Sequence, residues 1–283
     1  MPELAEVEFY RKQWNGGLGR RITAVRVHPQ ARVFRAGGGR RLARGLAGAT
    51  LVASEAAAKQ MLFRFSGGRW LGLHLGMSGE LHAEAAGYRA GRHDHLVLEL
   101  RDRCLVFTDP RMFGRVEFAT GRAPPAWWTR LAPPILSRAF TAAAVAAFLR
   151  RRGRAPVKAV LLLQERFPGI GNWMADEILW RAAIHPRRPA GSLSPREVRT
   201  LWRECRAVCR LALSTIAGRG NNVPAALNAR IPKSWLFLHR WEDGGRCPRT
   251  GTTLLRATIG GRTTCWSPAR QKWRAAGRRP GGA

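Results

Sequence analysis

Apolar positions in the first half of the chain recur in short runs that turn-forming residues separate. A run at helical spacing comes first, with Leu4, Val7 and Trp14 on one face, and Gly16-Gly17 ends it. Four shorter runs follow, and they predict strands at 59–65, 69–75, 95–100 and 104–108. Evenly spaced short strands of this kind are typical of a β-sandwich or barrel.

Helical periodicity dominates beyond the proline-rich residues 124–134, and it predicts helices at 139–152, 157–166, 172–183 and 194–217. Ser194 is suited to cap the last of these helices, because Pro195 occupies the first helical position and Glu197 completes a capping box. A final hairpin is predicted from strands at 252–259 and 262–266 around Gly260-Gly261.

The pattern therefore predicts an α+β fold in five parts. Residues 1–122 form an N-terminal β-sandwich domain with a flanking helix, and residues 123–138 form a linker. Residues 139–240 form a helical domain, and residues 241–273 form a β-hairpin. Residues 274–283 form a basic, glycine-rich tail that we expect to be disordered.

Charge is the most informative feature of the composition. The 283 residues include 49 basic and 18 acidic ones, and the formal net charge of +31 favours a nucleic acid over a membrane surface as partner. Only five basic residues are lysine, so coding bias explains part of the arginine content. No apolar run could span a bilayer and no export signal is visible, so we expect a cytoplasmic protein. Five cysteines, an odd number, argue against a disulfide framework.

The start of the chain is a candidate nucleophile. Removal of Met1 leaves Pro2 with a secondary α-amine beside the carboxylate of Glu3, and an α-amine has a reference pKa of about 7.7 to 8.0. A neutral, nucleophilic fraction therefore exists near pH 7. The alternative is an ordinary mobile terminus, which is the commoner state of a chain that begins Met-Pro.

Three further segments have both a functional and an ordinary interpretation. The turn at 168–172 places backbone amides at a helix N-terminus where a phosphate can bind, or it only joins two helices. Met77 in one loop, with Arg111 and Phe113 in another, can fill the gap that an extracted base leaves, or these are turn residues. Lys59, at the edge of an apolar strand, is a functional amine or a lysine that reaches solvent.

Seven segments, in this order, make the chain resemble the formamidopyrimidine-DNA glycosylase and endonuclease VIII family. They are residues 2–8, Lys59, 74–79, 92–95, 109–114, 169–177 and 260–264. The resemblance covers residues 1 to about 273, and seven ordered matches at sensible spacing make coincidence very improbable.

The resemblance implies a bifunctional DNA glycosylase and AP lyase of base excision repair. Pro2 attacks C1′ of the damaged nucleotide to form a Schiff base, Glu3 acts as an acid on the opened sugar, and Lys59 assists proton transfer. Strand cleavage by β,δ-elimination follows. The implied catalytic residues are Pro2, Glu3, Lys59 and Arg262, the phosphate-binding ones are His93, Lys158, Asn172 and Arg262, and the void-filling ones are Met77, Arg111 and Phe113.

The C-terminal finger departs from the family pattern. Cys247 is the only one of four zinc-ligand positions that keeps a cysteine, since Thr250, Ser267 and Arg270 occupy the others and Cys265 lies two residues too early. A structural zinc site needs four closed ligands, so we expect no zinc, no other cofactor and a zincless hairpin.

The complete void-filling set resembles the oxidised-purine branch of the family. The expected substrates are therefore 8-oxoguanine and formamidopyrimidines in damaged double-stranded DNA, bound with the help of a helix-two-turn-helix domain at 139–240. Excision of oxidised pyrimidines, damage binding without catalysis, and RNA binding at the ribosome are the alternatives. We expect a monomer without a membrane partner, located in the cytoplasm with the nucleoid.

Overall fold

The computed structural model describes residues 2–34, 38–220 and 222–273, and the chain divides into two compact units. The first unit comprises Met1–Leu131 and Ala212–Ala229, and the second comprises Ala132–Leu211 and Arg230–Ala283. The first change of unit falls within the linker predicted at 123–138. The return of Ala212–Ala229 to the first unit differs from the predicted division, and the tail predicted at 274–283 lies outside the described residues.

The first unit is built on two four-stranded antiparallel sheets. Its strands are β1 (Ala24–Val27), β2 (Leu51–Ala57), β3 (Gln60–Phe65), β4 (Arg69–His74), β5 (Glu80–Ala85), β6 (Asp94–Glu99), β7 (Arg103–Thr108) and β8 (Arg115–Thr120), and its helices are α1 (Leu4–Gln13), α2 (Gly38–Leu46) and α3 (Ala126–Thr129). The strand orders are β1-β6-β7-β5 and β2-β3-β4-β8. The predicted α+β fold with an N-terminal β-sandwich is confirmed.

Trp14, just beyond the end of α1, connects this helix to both sheets. Its ring lies 4.8 Å from that of Phe63 on β3, and its indole N–H points at the carbonyl oxygens of His82 on β5 and Val106 on β7, at 3.2 and 3.3 Å. Trp14 is fully buried, as a large aromatic ring in a core should be. The helix that follows Pro2 and Glu3 is therefore anchored to the core at its far end.

The second unit is mostly helical and includes the hairpin. Its helices are α4 (Ala142–Arg151), α5 (Val157–Leu161), α6 (Asn172–Arg181) and α7 (Pro195–Ala212, whose last residue belongs to the first unit), and its strands are β9 (Leu255–Ile259) and β10 (Arg262–Trp266). The capping box before α7 is confirmed, because the Ser194 N–H donates to the Glu197 carboxylate at 2.8 Å and the Glu197 N–H donates to the Ser194 hydroxyl at 3.3 Å. Gly260 and Gly261 have φ of 61° and 72°, values that fit a two-residue hairpin turn.

Two helices end earlier than the periodicity predicts. The helix predicted at 157–166 stops at Leu161, because the Gln164 amide binds three backbone groups of the following turn: the carbonyls of Leu162 and Ile170 and the N–H of Gly169. The helix predicted at 194–217 is regular only to Ala212, and a π-helical turn, Leu213–Ala217, continues it. Among the described residues, no helix combines the length and apolarity that a membrane crossing requires.

Candidate active site

The first two residues of the predicted site lie at the start of α1. Glu3 is the N-cap of this helix and is buried, and a reciprocal capping box links it to Glu6. The Glu3 N–H donates to the Glu6 carboxylate at 2.7 Å, and the Glu3 side chain accepts from the Glu6 backbone N–H. This arrangement fixes the peptide that joins Pro2 to Glu3, so α1 presents the proline in one orientation.

Further carboxylates surround the first turns of α1. Glu6 is buried. The pKa of the Tyr10 phenol is raised mainly by the burial of Tyr10 itself, and the negative charge of Glu80, its hydrogen bond to the phenol and the charge of Glu6 raise it further. The phenol therefore stays protonated and donates to Glu80. Glu3, Glu6 and Glu80 give the beginning of the chain an acidic environment, in contrast to the strongly basic composition of the whole.

Lys59 lies in the two-residue turn between β2 and β3, one residue before the start of the strand. His74, at the end of β4, pairs across the sheet with Gln60 and with Arg115. Burial lowers the pKa of His74, and the positive charges of Arg115 and Lys59 lower it further. The His74 Nδ1 accepts the Gly76 N–H at 3.0 Å, which the neutral ring can do. The structure thus places Lys59 beside a neutral histidine at one end of this sheet.

The structure brings the three predicted void-filling residues together on two adjacent loops. Met77 and Phe113 are 41% and 56% exposed, which is unusual for large apolar side chains. The Arg111 guanidinium lies 4.7 Å over the Phe113 ring. Gly76 permits the close approach, because its φ is 61° and a Cβ there would lie 2.4 Å from the Phe113 carbonyl carbon. The two loops therefore form one exposed apolar and cationic edge.

Asp109 holds these loops together, a role that the sequence analysis did not assign. Its fully buried carboxylate accepts the Ser78 hydroxyl at 2.7 Å, the Gly114 N–H at 2.7 Å and the Arg111 N–H at 3.3 Å. Its backbone N–H donates to the carbonyl of His93 at 3.0 Å. This backbone hydrogen bond ties His93, the predicted phosphate ligand, to the same loops. The His93 side chain is exposed.

Lys12 is a second buried residue that the sequence analysis did not assign to a site. Its Nζ donates to three carbonyl oxygens, of Ala217 at 3.1 Å and of Gly218 and Gly220 at 2.9 Å. The first of these carbonyls belongs to the last residue of the π-helical turn and the other two follow it, at a helix end where the dipole favours a cation. Lys12 thus fastens the returning segment Ala212–Ala229 to the helix that begins at the candidate nucleophile.

The second unit brings Asn172, Lys158 and the hairpin together. Asn172 is the first residue of α6, and its Nδ2 donates to the Thr263 carbonyl on β10 at 2.8 Å. The hairpin tip packs on α5, since a Cβ on Gly260 would lie 2.6 Å from that of Ala159. Arg262 is exposed next to this tip. Asn172 and Arg262 therefore lie on segments that contact each other directly.

Lys158 differs from its predicted role as a direct phosphate ligand. Its side chain is fully buried, its Nζ forms an ion pair with Asp176, and it donates to the Asn172 carbonyl at 2.6 Å. Asp176 also pairs with Arg240 and accepts the Cys265 N–H at 3.0 Å. A buried ammonium in such a network has no access to a phosphate at the surface. Lys158 instead supports the Asn172 turn from beneath.

The residues at the zinc-ligand positions of the finger do not fit a zinc ion. Cys247 lies in a buried cluster with Trp180, and its Sγ accepts the Trp180 indole N–H at 3.4 Å. Burial alone would raise the pKa of this thiol, but the hydrogen-bonding groups around it, including Ser267 and Thr250, lower it to about 7. Arg270 occupies a sequence position at which the family has a zinc ligand, and its guanidinium lies 5.4 Å from the centre of the Trp180 ring. A cation and two hydroxyls cannot complete a tetrahedral thiolate site.

Comparison with known proteins agrees with this geometry. The model of the formamidopyrimidine-DNA glycosylase N-terminal domain matches residues 1–116, and that of the formamidopyrimidine-DNA glycosylase H2TH domain matches residues 131–221. The formamidopyrimidine-DNA glycosylases of Roseiflexus sp. (strain RS-1) and Halorhodospira halophila (strain DSM 244 / SL1) are 36% and 40% identical over 274 and 275 residues. Each alignment covers 96% of this chain and 100% of the relative.

A solved structure matches over the same span. It is the complex between the wild-type Lactococcus lactis Fpg and a DNA that contains N7-benzyl-Fapy-dG, with a TM-score of 0.84 and 25% identity. The match covers 96% of this chain and 100% of the Lactococcus chain. Two domain models, full-length relatives and a shared fold agree with the ordered motifs of the sequence, and the chain belongs to the formamidopyrimidine-DNA glycosylase family of DNA repair enzymes.

Proposed function

We propose that this protein is a bifunctional DNA glycosylase and AP lyase that excises oxidised purines, with Pro2 as the nucleophile. The observation that carries the proposal is the capping box at the start of α1, which buries Glu3 and orients the peptide that joins it to Pro2. A chain terminus without a chemical role would have no need of such fixation. Membership of the family supplies the reaction class to which this arrangement is suited.

The proposed reaction requires removal of Met1, so that Pro2 carries a free secondary amine. The Pro2 nitrogen attacks C1′ while the bond from C1′ to the base breaks, and the base leaves with that electron pair and takes up a proton. Glu3 protonates O4′ as the sugar opens to an iminium ion. Loss of a C2′ proton then expels the 3′ phosphate, and a second elimination expels the 5′ phosphate. Lys59 moves protons during these steps.

The other residues hold the DNA in position. Met77, Arg111 and Phe113 fill the space left by the extruded nucleotide, with Arg111 facing the base that has lost its partner. Extrusion costs a few kcal/mol, and less for a damaged pair, so a preformed set of this kind offsets the penalty. His93, Asn172 and Arg262 contact phosphates around the lesion, and Lys158 contributes indirectly through Asn172.

Borohydride reduction tests the nucleophile. Wild-type protein incubated with an 8-oxoguanine duplex or an abasic duplex is expected to form a covalent adduct, and the cross-linked peptide should contain Pro2 as its first residue. A matched variant with one alanine inserted between Met1 and Pro2 displaces the amine and should not be trapped. An adduct on Lys59, equal trapping of the insertion variant, or Met1 retained on active protein would contradict the assignment.

The same substrates separate the alternatives. A damage-binding protein without catalysis would bind both duplexes but form no adduct, and an RNA-binding protein would show no preference for damaged duplex. A panel of duplexes with 8-oxoguanine, formamidopyrimidines and oxidised pyrimidines, scored for cleavage, tests the lesion class. We expect the purine lesions to be cleaved faster, because the complete void-filling set resembles that branch of the family.

We propose further that the finger works without zinc. The donor set at Cys247, Thr250, Ser267 and Arg270 supports this, since it offers a single thiolate. Metal analysis of purified, active protein is expected to find far less than one equivalent of zinc, and chelator treatment should leave activity unchanged. About one equivalent that resists dialysis would refute the proposal.

A further inference from the structure

An arginine cluster on the second unit has no part in the reaction proposed above. Arg151, Arg152 and Arg166 line an open cavity of about 400 Å³ together with Phe148 and Glu165. Their guanidinium carbons lie 5.4, 5.8 and 5.8 Å from the centre of the Phe148 ring. Three cations therefore converge on one aromatic ring.

Ordinary structural roles explain only part of this arrangement. Arg151 belongs to the last turn of α4, where a cation complements the helix dipole, and Arg152 pairs with Glu165 at 2.9 Å in an exposed ion pair. Each guanidinium also gains a small electrostatic attraction from the face of the ring. None of these effects requires the three cations to share one ring, where their mutual repulsion opposes the gain.

Arg166 provides the observation that points to a ligand. Its Nε is buried and has no hydrogen-bond partner within residues 2–34, 38–220 and 222–273. A buried donor that lacks an acceptor is unfavourable, and more so when it belongs to a charged group. Glu165 already pairs with Arg152, so an anion from outside the protein, bound at the accessible nitrogens of the three guanidinium groups, would reduce their mutual repulsion.

We propose that this arginine cluster binds a phosphate of the DNA backbone, outside the contacts that surround the lesion. A planar guanidinium matches two phosphate oxygens at once, and three of them form a cradle for one such group. The cluster is joined to the DNA-contacting turn, because the Phe148 ring packs at 6.0 Å from that of Phe167, which directly precedes the turn at 168–172.

Nucleic acid is the phosphate source that the charge of the chain favours. The protein carries a net charge of +31, and B-DNA presents about one negative charge per 1.7 Å of axis, so a duplex held at the turn offers further phosphates nearby. The proposal rests on duplex binding by the protein, as in the proposed function, but not on the chemistry of Pro2.

The test compares a double variant, Arg151→Gln with Arg166→Gln, against a matched control, Arg203→Gln with Arg210→Gln on α7. Arg203 and Arg210 are exposed, and both variants lose two positive charges. Binding to a 30-base-pair undamaged duplex is measured from about 50 to 300 mM salt. Each lost phosphate contact lowers the slope of log K against log salt by about 0.9, so we expect the cluster variant to lose about 0.9 relative to the control and to bind about tenfold more weakly at 0.15 M.

Further measurements keep the result interpretable. Thermal unfolding midpoints within about 2 °C of wild type exclude misfolding. The single variant Arg166→Gln provides a second test, with an expected loss of slope in the same direction and of at most about 0.9. Borohydride trapping on an abasic duplex at low salt should persist in every variant, which separates this proposal from that for Pro2.

Equal slopes for the cluster variant and the control would overturn the proposal. The proposal would also be overturned if inorganic phosphate or pyrophosphate raised the unfolding midpoint of wild type but not of the cluster variant, while the salt slopes of DNA binding stayed equal. The cavity would then be a site for a small free anion.

Discussion

Replacing Lys158 by methionine distinguishes a buried support from a direct phosphate ligand. The Lys158 and Asp176 side chains are both fully buried, and Arg240, the other cation of Asp176, is 4% exposed. Removing one member of a buried ion pair costs about 3–5 kcal/mol. Asp176 keeps Arg240 and the Cys265 N–H as partners, so we expect the lower end, about 3 kcal/mol.

This loss is large enough to measure in two independent ways. About 3 kcal/mol lowers the unfolding midpoint of a domain of 150–250 residues by roughly 6–12 °C. The affinity for duplex DNA should fall because the Asn172 turn loses the hydrogen bond that Lys158 makes to it. The salt slope of binding should stay unchanged, since no phosphate contact is removed.

Lys233→Met is the matched control, because Lys233 is an exposed lysine of the same unit. It should change the unfolding midpoint by no more than about 1 °C. The reasoning would be refuted if Lys158→Met kept the wild-type midpoint and lowered the salt slope by about 0.9, because that combination identifies a solvent-accessible phosphate ligand.

Substitutions at three further positions test polar groups of the first unit. Asp109→Ala leaves the loops of Met77 and Arg111 without their common acceptor, so kcat/KM on a lesion duplex should fall at least about tenfold. Borohydride trapping on single-stranded abasic DNA should persist, because that substrate needs no extrusion. Equal losses on both substrates would contradict this expectation. Lys12→Met and Lys12→Arg should each lower the free energy of unfolding by about 2–4 kcal/mol in denaturant titrations. Methionine leaves three carbonyls unsatisfied, and a planar guanidinium does not fit them. A wild-type midpoint for the arginine variant would refute this geometric argument. The pKa of His74 is lowered in the folded state, so folding stability is lost as pH falls below about 6.5, the unfolded value. His74→Gln should reduce the loss of unfolding midpoint between pH 7.5 and 5.5, and an identical loss would assign it to other groups.

The strands of the first unit that the sequence predicted share one structural property. They are β3 and β4, and β6 and β7, the two central strands of each sheet. The strands it missed, β1, β2, β5 and β8, are all edge strands. The central strand Arg103–Thr108 is buried at its four middle residues, which form a continuous apolar run, whereas the edge strand Glu80–Ala85 is exposed at three of its six residues and includes two glutamates. An edge strand needs only one buried face, so hydrophobicity alone identifies it poorly.

The residues of the candidate site also differ in how well the sequence predicts them. Residues with an exposed chemical group, such as Met77 and Phe113, could be predicted from short motifs because the chemistry lies in the side chain itself. Asp109 and Asp176 could not, because their role is defined by partners that only the fold brings near. The Cys265 N–H that binds Asp176 lies 89 residues away along the chain. Local sequence therefore indicated the residues that are proposed to act on DNA but not the residues that hold them in place.

Lysine usage links these supporting residues to the chemistry. Only five of the 49 basic residues are lysine, and Lys233 and Lys272 are exposed. The other three are Lys12 and Lys158, which are buried, and Lys59, which is half-buried near His74. In a chain that otherwise uses arginine, these positions need what a guanidinium lacks. Lys12 and Lys158 need a compact group with three donors that converging oxygens can surround. The role proposed for Lys59 needs a cation that can release its proton. An arginine at Lys59 would preserve the charge but not proton transfer, so a lysine at this position suits the chemical role proposed for it.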